Sequence, residues 1–357
     1  MPVTHFPEKI TKFLRRRLVE LKEEHGEDSW QYRGIALQYF RDPREDVDAP
    51  EENIKHYEAG VTAGELPPGL ERLYRRSLVI EPTLVCIAHC RYCLRSNYAK
   101  HTLSEQQLVD VARYCGSGAN QDFLNEVLIT GGDPLLIPNR IEFLLNALIE
   151  QAPNIRIVRL ATRIPTQDPD RIDQDVLRVF QNKPSLRFEM ATQVNSPAEF
   201  CPETEEAFRK VRALGVKIYS QNVLLKGVND DSAVLVDLYD RMRLNDIEAH
   251  YLFHSVPMRG THHLRTSVDT GLKLANGLTS CGRISGRAKP MFAAMTDIGK
   301  ITFYQGTIVD RRDGKLLLQS EYRLEDRLAW NPSWDLPESA QVDSEGRLQV
   351  WYLDGAD

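Results

Sequence analysis

The chain has 357 residues, 42% of them hydrophobic and 27% charged, with a formal net charge of −6 and six cysteines. That composition suits a globular enzyme, and the cysteines are too sparse for a disulfide framework. No apolar stretch reaches the roughly 20 residues of a membrane span, the first residues lack the apolar core of a secretory signal, and the acidic balance gives no global field for nucleic acid. A cytoplasmic protein without a membrane or nucleic-acid partner is expected.

Residues 1–65 read as an N-terminal helical extension. Arg15-Arg16-Arg17 is a solvated face of the first helix, the stretch EDSWQYRGIALQYF is amphipathic, and Arg41–Glu52 is an exposed acidic loop. From Leu78 onward short β-branched runs alternate with longer helical patterns, the rhythm of parallel strands joined by crossover helices. The predicted strands are Ser77–Val85, Glu126–Thr130, Arg156–Ala161, Leu186–Thr192, Val216–Val223 and Ile247–Phe253. Helices are predicted at Ser104–Cys115, Arg140–Gln151, Asp173–Phe180, Thr204–Leu214, Ser232–Arg243 and Val268–Leu278. Residues 66–289 should therefore form an α/β domain, a partial (β/α)6 barrel of the TIM type. Residues 290–357 read as a C-terminal β-hairpin extension, from the alternation in Ile301–Val309, the Asp313-Gly314 turn and the run Leu316–Leu318. Trp330, Trp334 and Trp351 are placed to pack across the barrel or a neighbouring subunit.

Ligands in parallel α/β architectures gather at the C-terminal strand ends. The first predicted strand runs into Cys86, Cys90 and Cys93, a CxxxCxxC loop. Three thiolates are one short of the four that a cubane iron–sulfur cluster or a structural zinc normally takes. Zinc held by these cysteines and His89 is the competing reading, although zinc sites usually bring two separated ligand pairs. Here Cys115, Cys201 and Cys281 are isolated. The second strand ends in Thr130-Gly131-Gly132-Asp133-Pro134, where paired glycines allow a close backbone approach.

The cysteine spacing, followed one βα unit later by the glycine pair, resembles radical S-adenosylmethionine (SAM) enzymes. Across about residues 65–300 the chain is similar to the lysine 2,3-aminomutase family. Pro67-Pro68-Gly69-Leu70, Cys90–Arg95, Ile129–Leu135, Thr162–Pro165, Asn195–Glu199, Ser220–Asp230 and His263–Thr266 carry the match. The resemblance implies a 4Fe-4S cluster on the three cysteines, with SAM chelated at the open iron beside Gly131, Gly132 and Asp133. It also implies pyridoxal phosphate, an external electron donor such as flavodoxin or ferredoxin, a homo-oligomer, and an amino-acid-like substrate in an isomerase reaction. Arg95 matches a carboxylate-gripping arginine, while Arg163 and Gln221 match positions near the cofactor phosphate and adenosine. Gln193, one strand over, is expected to face the same cavity.

Three departures stand against the family pattern. Lys300 is the nearest match to the lysine that carries pyridoxal phosphate, yet Asp297-Ile298-Gly299-Lys300 reads equally as a hairpin turn. Leu73 and Ser77 occupy the positions of two phosphate-facing arginines, with Arg72 and Arg76 one residue off, and a local bulge is needed to restore them. Aspartates that receive lysine's ammonium are replaced near Val256 and Ala293–Met295, so free lysine is not the expected substrate. His254, Met258, Arg259, His262 and His263 could instead meet a polar or acidic side chain. Without pyridoxal phosphate, an abstraction-led epimerisation or dehydrogenation is the alternative. A non-catalytic metal-binding interaction protein is the alternative of another class.

Overall fold

The structure is a computed structural model that describes residues 6–46, 66–96, 100–118 and 120–357. Helices α1 (Lys12–His25) and α2 (Trp30–Tyr39) begin on hydroxyl caps: Thr11 accepts from the Leu14 N–H and Ser29 from the Tyr32 N–H. Leu14, Leu18 and Leu21 recur at helical spacing and pack with Ile35, Ala36 and Tyr39 of α2. Arg15 and Arg16 are exposed on the other face, as the sequence suggests. The expected acidic loop falls partly on residues 47–52, outside the described residues.

One sheet of nine strands forms the body, and its spatial order is its chain order. A short β1 (Leu70–Glu71) lies antiparallel on β2 (Ser77–Thr83). Then β3 (Glu126–Gly131), β4 (Ile157–Ala161), β5 (Arg187–Thr192), β6 (Lys217–Leu224), β7 (Ile247–His254) and β8 (Met291–Thr296) follow in parallel. Crossovers between successive parallel neighbours carry α3 (Glu105–Cys115), α4 (Pro138–Gln151), α5 (Gln174–Val179), α6 (Pro202–Arg212), α7 (Ser232–Leu244) and α8 (Val268–Ser280). The result is a curled, open half-barrel with its core between sheet and helices. α3 illustrates the local logic: Ser104 and Gln107 form a capping box, and Leu108, Val111, Ala112 and Cys115 face the core. Fully burying each such leucine or valine contributes about 1.5–3 kcal/mol.

The six predicted strands and six predicted helices appear within two residues of their expected ends. A seventh parallel strand, β8, was not expected. It carries the sheet beyond residue 289 and turns back through Asp297-Ile298 into antiparallel β9 (Gly299–Thr302). Ile301–Val309 is accordingly not one strand. It breaks after Thr302 in a turn with Gly306 at φ +86°, and β10 (Ile308–Arg312) belongs to a second sheet. That sheet also holds β11 (Lys315–Arg323), β12 (Ala340–Val342) and β13 (Arg347–Leu353), in the order β10-β11-β13-β12. Asp313 and Gly314 join β10 to β11 at φ +50° and +74°, as a two-residue hairpin turn requires. Trp334 enters the main core, whereas Trp330 and Trp351 stay half-buried. Among the described residues no helix is long and apolar enough to cross a membrane.

Candidate active site

A cavity of about 450 Å³ opens around the C-terminal ends of the parallel strands, and Cys86, Cys90 and Cys93 all line it. Their loop is held from the N-terminal side. Lys9 Nζ donates to the Cys86 carbonyl at 2.6 Å, the His89 N–H to the Lys9 carbonyl at 2.9 Å, and the Arg91 N–H to the Gln38 carbonyl at 2.8 Å. Arg91 reaches Glu45 through both Nε, at 2.8 Å, and Nη2. The His89 ring stacks on Phe6 at 4.6 Å, with Nδ1 2.8 Å from the Pro7 carbonyl. That contact engages one ring nitrogen of the proposed zinc ligand in packing.

Burial raises the thiol pKa of Cys86, and Cys93, Asp133 and Cys90 raise it further through their charge. Burial and then Cys90 do the same to Cys93. The thiols therefore sense one another across one space. Among the described residues no three His, Cys, Asp or Glu side chains close on a single metal ion. A cubane places each thiolate on a different iron, so its ligands need not converge on one point. Polar hydrogens also face the sulfur: Arg163 Nη1 lies 3.0 Å and Gln167 Nε2 3.5 Å from Cys90 Sγ. The three cysteines thus line one cavity, and the Cys90 thiol receives N–H donors.

Gly131 and Gly132 close the floor beside this loop. Their tight approach is first to backbone: the Gly132 N–H donates to the Thr83 carbonyl at 2.7 Å, and Gly131 sits at φ +104°. A Cβ on Gly132 would lie 2.6 Å from the Val85 nitrogen. The Asp133 carboxylate accepts from Thr162 Oγ1 at 2.8 and 2.9 Å, the Arg163 N–H at 2.9 Å and the Leu135 N–H at 3.1 Å. Burial nevertheless outweighs these bonds and lifts its pKa to about 6.

Arg163, Gln193 and Gln221 all line the cavity. Arg163 is the hub. Its Nη2 meets Glu199 at 2.7 Å and Gln38 at 3.1 Å, its Nε meets the Gln193 carbonyl at 3.2 Å, and its Nη1 also bonds Tyr92. Arg95 lines the same space while its Nε holds Glu81 and its Nη2 holds Glu71 at 3.1 Å.

The hairpin is present: Lys300 follows Gly299 at the start of β9, and the same residue lines the cavity that the cysteines line. Nζ stands 4.0 Å from the Tyr251 ring centroid. Its backbone is fastened on both sides, its N–H donating to Tyr74 Oη at 3.0 Å and its carbonyl accepting from Tyr322 at 2.5 Å. No carboxylate among the described residues pairs with the amine, and burial with the nearby Arg159 charge pulls its pKa down to about 8.

The two shifted arginines part ways. Arg72 turns away to donate to Asn120 Oδ1 at 2.7 Å, and Leu73 is buried in an apolar cluster. Arg76 and Ser77 do reach the cavity. Of the residues near the β7 end, His254 lines it, whereas Met258 is buried and Arg259, His262 and His263 do not line it. Sequence reasoning missed Arg159, an arginine within the otherwise apolar strand IVRLA, and that cost of burial was its signal. Arg159 bonds Glu126 and approaches Ser77 Oγ at 3.4 Å.

The family model of the Radical SAM superfamily matches residues 80–238, so fold, cysteine loop and family model together define a radical SAM enzyme. An Aquifex aeolicus protein provisionally named L-lysine 2,3-aminomutase is 30% identical over 71% of this chain and 68% of its own. The chain belongs to the lysine 2,3-aminomutase family, as a divergent member. The L-lysine 2,3-aminomutase of Clostridium subterminale is 26% identical over 71% of this chain and 60% of its own. The glutamate 2,3-aminomutase of Clostridioides difficile is 30% identical over 62% of this chain and 52% of its own. This chain thus spans less than two thirds of both clostridial relatives. A radical SAM methyltransferase structure from Sphaerobacter thermophilus covers 64% of this chain and 69% of its own, with a TM-score of 0.49 at 18% identity.

Proposed function

We propose that this radical SAM enzyme abstracts hydrogen from an amino acid or a related small molecule and, with pyridoxal phosphate at Lys300, acts as an amino-acid 2,3-aminomutase-like isomerase. The carrying observation is Lys300: a desolvated amine without a carboxylate partner among the described residues, beside a second cation, in a residue that lines the same cavity as the three thiols. Desolvation and a neighbouring cation are the two means by which proteins keep a lysine amine nucleophilic. Cys86, Cys90 and Cys93 would hold the 4Fe-4S cluster, which, reduced by a flavodoxin- or ferredoxin-type donor, would supply the electron for cleavage of SAM to methionine and the hydrogen-abstracting 5'-deoxyadenosyl radical. Pyridoxal phosphate, when bound, would supply a π-system able to spread an unpaired electron.

The chain's own residues supply position and charge. Gly131, Gly132 and Asp133 shape the SAM wall, and Asp133 orients Thr162 and the Arg163 backbone. Arg163, Gln193 and Gln221 face the adenosine and phosphate region. Tyr74 and Tyr322 fix the Lys300 backbone so that its amine enters over Tyr251. Arg95 is the proposed carboxylate grip, although substrate must then compete with Glu71 and Glu81 for its donors.

The test is the spectrum of the protein with pyridoxal phosphate, before and after borohydride, with Lys300→Ala as control. A covalent label lost in the variant supports the reading. The turned-away Arg72 and buried Leu73 favour a second reading without pyridoxal phosphate, an epimerisation or dehydrogenation. An unlabelled native protein that still releases 5'-deoxyadenosine under reducing conditions would select it.

A further inference from the structure

A small apolar cluster stands apart from the main core at the edge of the cavity. Leu73 and Met258 are buried in it, and Tyr74, Leu94, Val256 and Met295 pack against them while remaining partly uncovered. All four uncovered members line the cavity. Their bare surface thus faces a confined space, where an apolar group gains by replacing water.

The surrounding charges narrow what that group can be. Among the described lining residues Asp133 is the one carboxylate, against Arg76, Arg95, Lys100, Arg159, Arg163 and Lys300. Asp133 is itself occupied by Thr162 and two backbone N–H groups. A substrate ammonium pushed against the apolar cluster would find no counter-ion among the described residues there, and an unpaired buried charge is strongly unfavourable. A distal carboxylate would meet within the cluster only the Tyr74 hydroxyl, which already accepts from the Lys300 N–H. His254 ends the same strand, but its Nδ1 lies 2.7 Å from the Tyr352 hydroxyl and its Nε2 2.8 Å from the Thr266 carbonyl. Both ring nitrogens are engaged away from a ligand.

The patch is also placed beside the reacting end. Met295 is the register partner of Lys300 across β8 and β9, and Leu94 immediately precedes Arg95. A molecule whose amino end lies at Lys300 and whose carboxylate meets the cationic lining would lay its side chain near these four residues.

We propose that Tyr74, Leu94, Val256 and Met295 form the side-chain subsite for an amino-acid substrate with an uncharged, apolar side chain of about leucine or methionine size. This rests on the amino-acid reading above and names its substrate class.

Binding measured apart from turnover tests it. Equilibrium dialysis of leucine, alanine, lysine and glutamate against the anaerobically reconstituted holoenzyme, with SAM and pyridoxal phosphate but no reductant, compares affinities without radical formation. Leucine should bind about tenfold or more tighter than the other three, the discrimination a few methylenes give in an apolar pocket. Met295→Asp should lower leucine affinity about tenfold and favour lysine. Met295→Ala, the milder change, should weaken leucine while leaving alanine unchanged. Lysine or glutamate binding as tightly as leucine to the native enzyme overturns the proposal, as does the absence of any amino-acid binding. Preferential leucine binding without 5'-deoxyadenosine release once dithionite is added upholds the subsite and overturns the radical-transfer reading instead.

Discussion

Arg163 places Nη1 3.0 Å from the Cys90 sulfur while Nη2 of the same guanidinium holds Glu199 at 2.7 Å. A single buried cation therefore ties the thiol loop to the turn after β5. Glu199 is itself a junction, accepting from the Asn195 N–H at 2.8 Å, the Ser196 N–H at 3.0 Å and Gln38 Nε2 at 3.0 Å. Planar, five-donor geometry is what lets one side chain serve so many acceptors.

Arg163→Ala should strand the Glu199 carboxylate in the interior, and breaking a buried pair from one side costs about 3–5 kcal/mol. Arg163→Lys keeps the charge without the fork and should lose less. Urea unfolding midpoints at constant slope measure both. A loss under about 1 kcal/mol for the alanine variant, within the range of surface pairs, would show that the hub does not hold these elements together.

Lys300 should titrate near pH 8 in the native protein, below its ordinary 10.5, because burial and Arg159 disfavour its charge. Between about 8 and 10.5 the unfolded chain then binds more protons than the native one. By linkage this residue's contribution to stability rises with pH across that window, and its full penalty is present below it. Acylation of Lys300 by an amine-specific reagent, followed by peptide mass spectrometry against pH, reads the midpoint directly. Reactivity rising only near 10.5 would remove the case for a nucleophilic lysine.

The barrel was legible because most of the parallel strands are short apolar or β-branched runs that alternate with helical patterns, and Ser77–Thr83 and Ile247–His254 lie close to their expected places. β8 escaped because Met291–Thr296, covered on both faces, lacks the alternation that marks a half-buried strand. The cysteine loop's position followed from its strand, but its support did not. His89 bonds to Lys9 and Arg91 to Gln38 across fifty or more residues of sequence, and no local pattern encodes such pairings. Lys300 was ambiguous for a physical reason: the residue that follows the hairpin turn also lines the cavity, so the two readings do not exclude each other. Arg72 and Arg76 share the same one-residue shift yet part ways, the Arg72 guanidinium going to Asn120 while Arg76 reaches the cavity.

Gly132 and Gly277 make a paired test of close approach. A methyl at Gly132 would stand 2.6 Å from the Val85 nitrogen, so backbone must move and Gly132→Ala should destabilise by about 1–3 kcal/mol or more. Gly277 lies within α8 with nothing within 4 Å of the added carbon. Gly277→Ala should be neutral or stabilise by up to about 1 kcal/mol, the helix-propensity difference. Thermal unfolding of both variants decides it, and equal effects would mean that the packing of Gly132 against the cysteine loop is not tight in solution.

The contact between Glu45 and Arg91 lets the N-terminal segment act on the cysteine loop, since Arg91 lies between Cys90 and Cys93 and its side chain is 1% exposed. Glu45→Ala leaves that guanidinium buried with backbone acceptors at Phe6 and Pro7 but no counter-charge among the described residues. A stability loss of about 3–5 kcal/mol is expected. A double change of Glu45 and Arg91 to methionine should recover much of it, because well-packed apolar pairs replace buried ion pairs at little cost. The same variants separate stability from support of the loop. If Glu45 restrains the cysteines, a ferrous chelator should strip iron from reconstituted Glu45→Ala faster than from the native protein at temperatures where both are folded. Equal stripping rates, with the stability loss confirmed, would confine the pair's role to anchoring the extension.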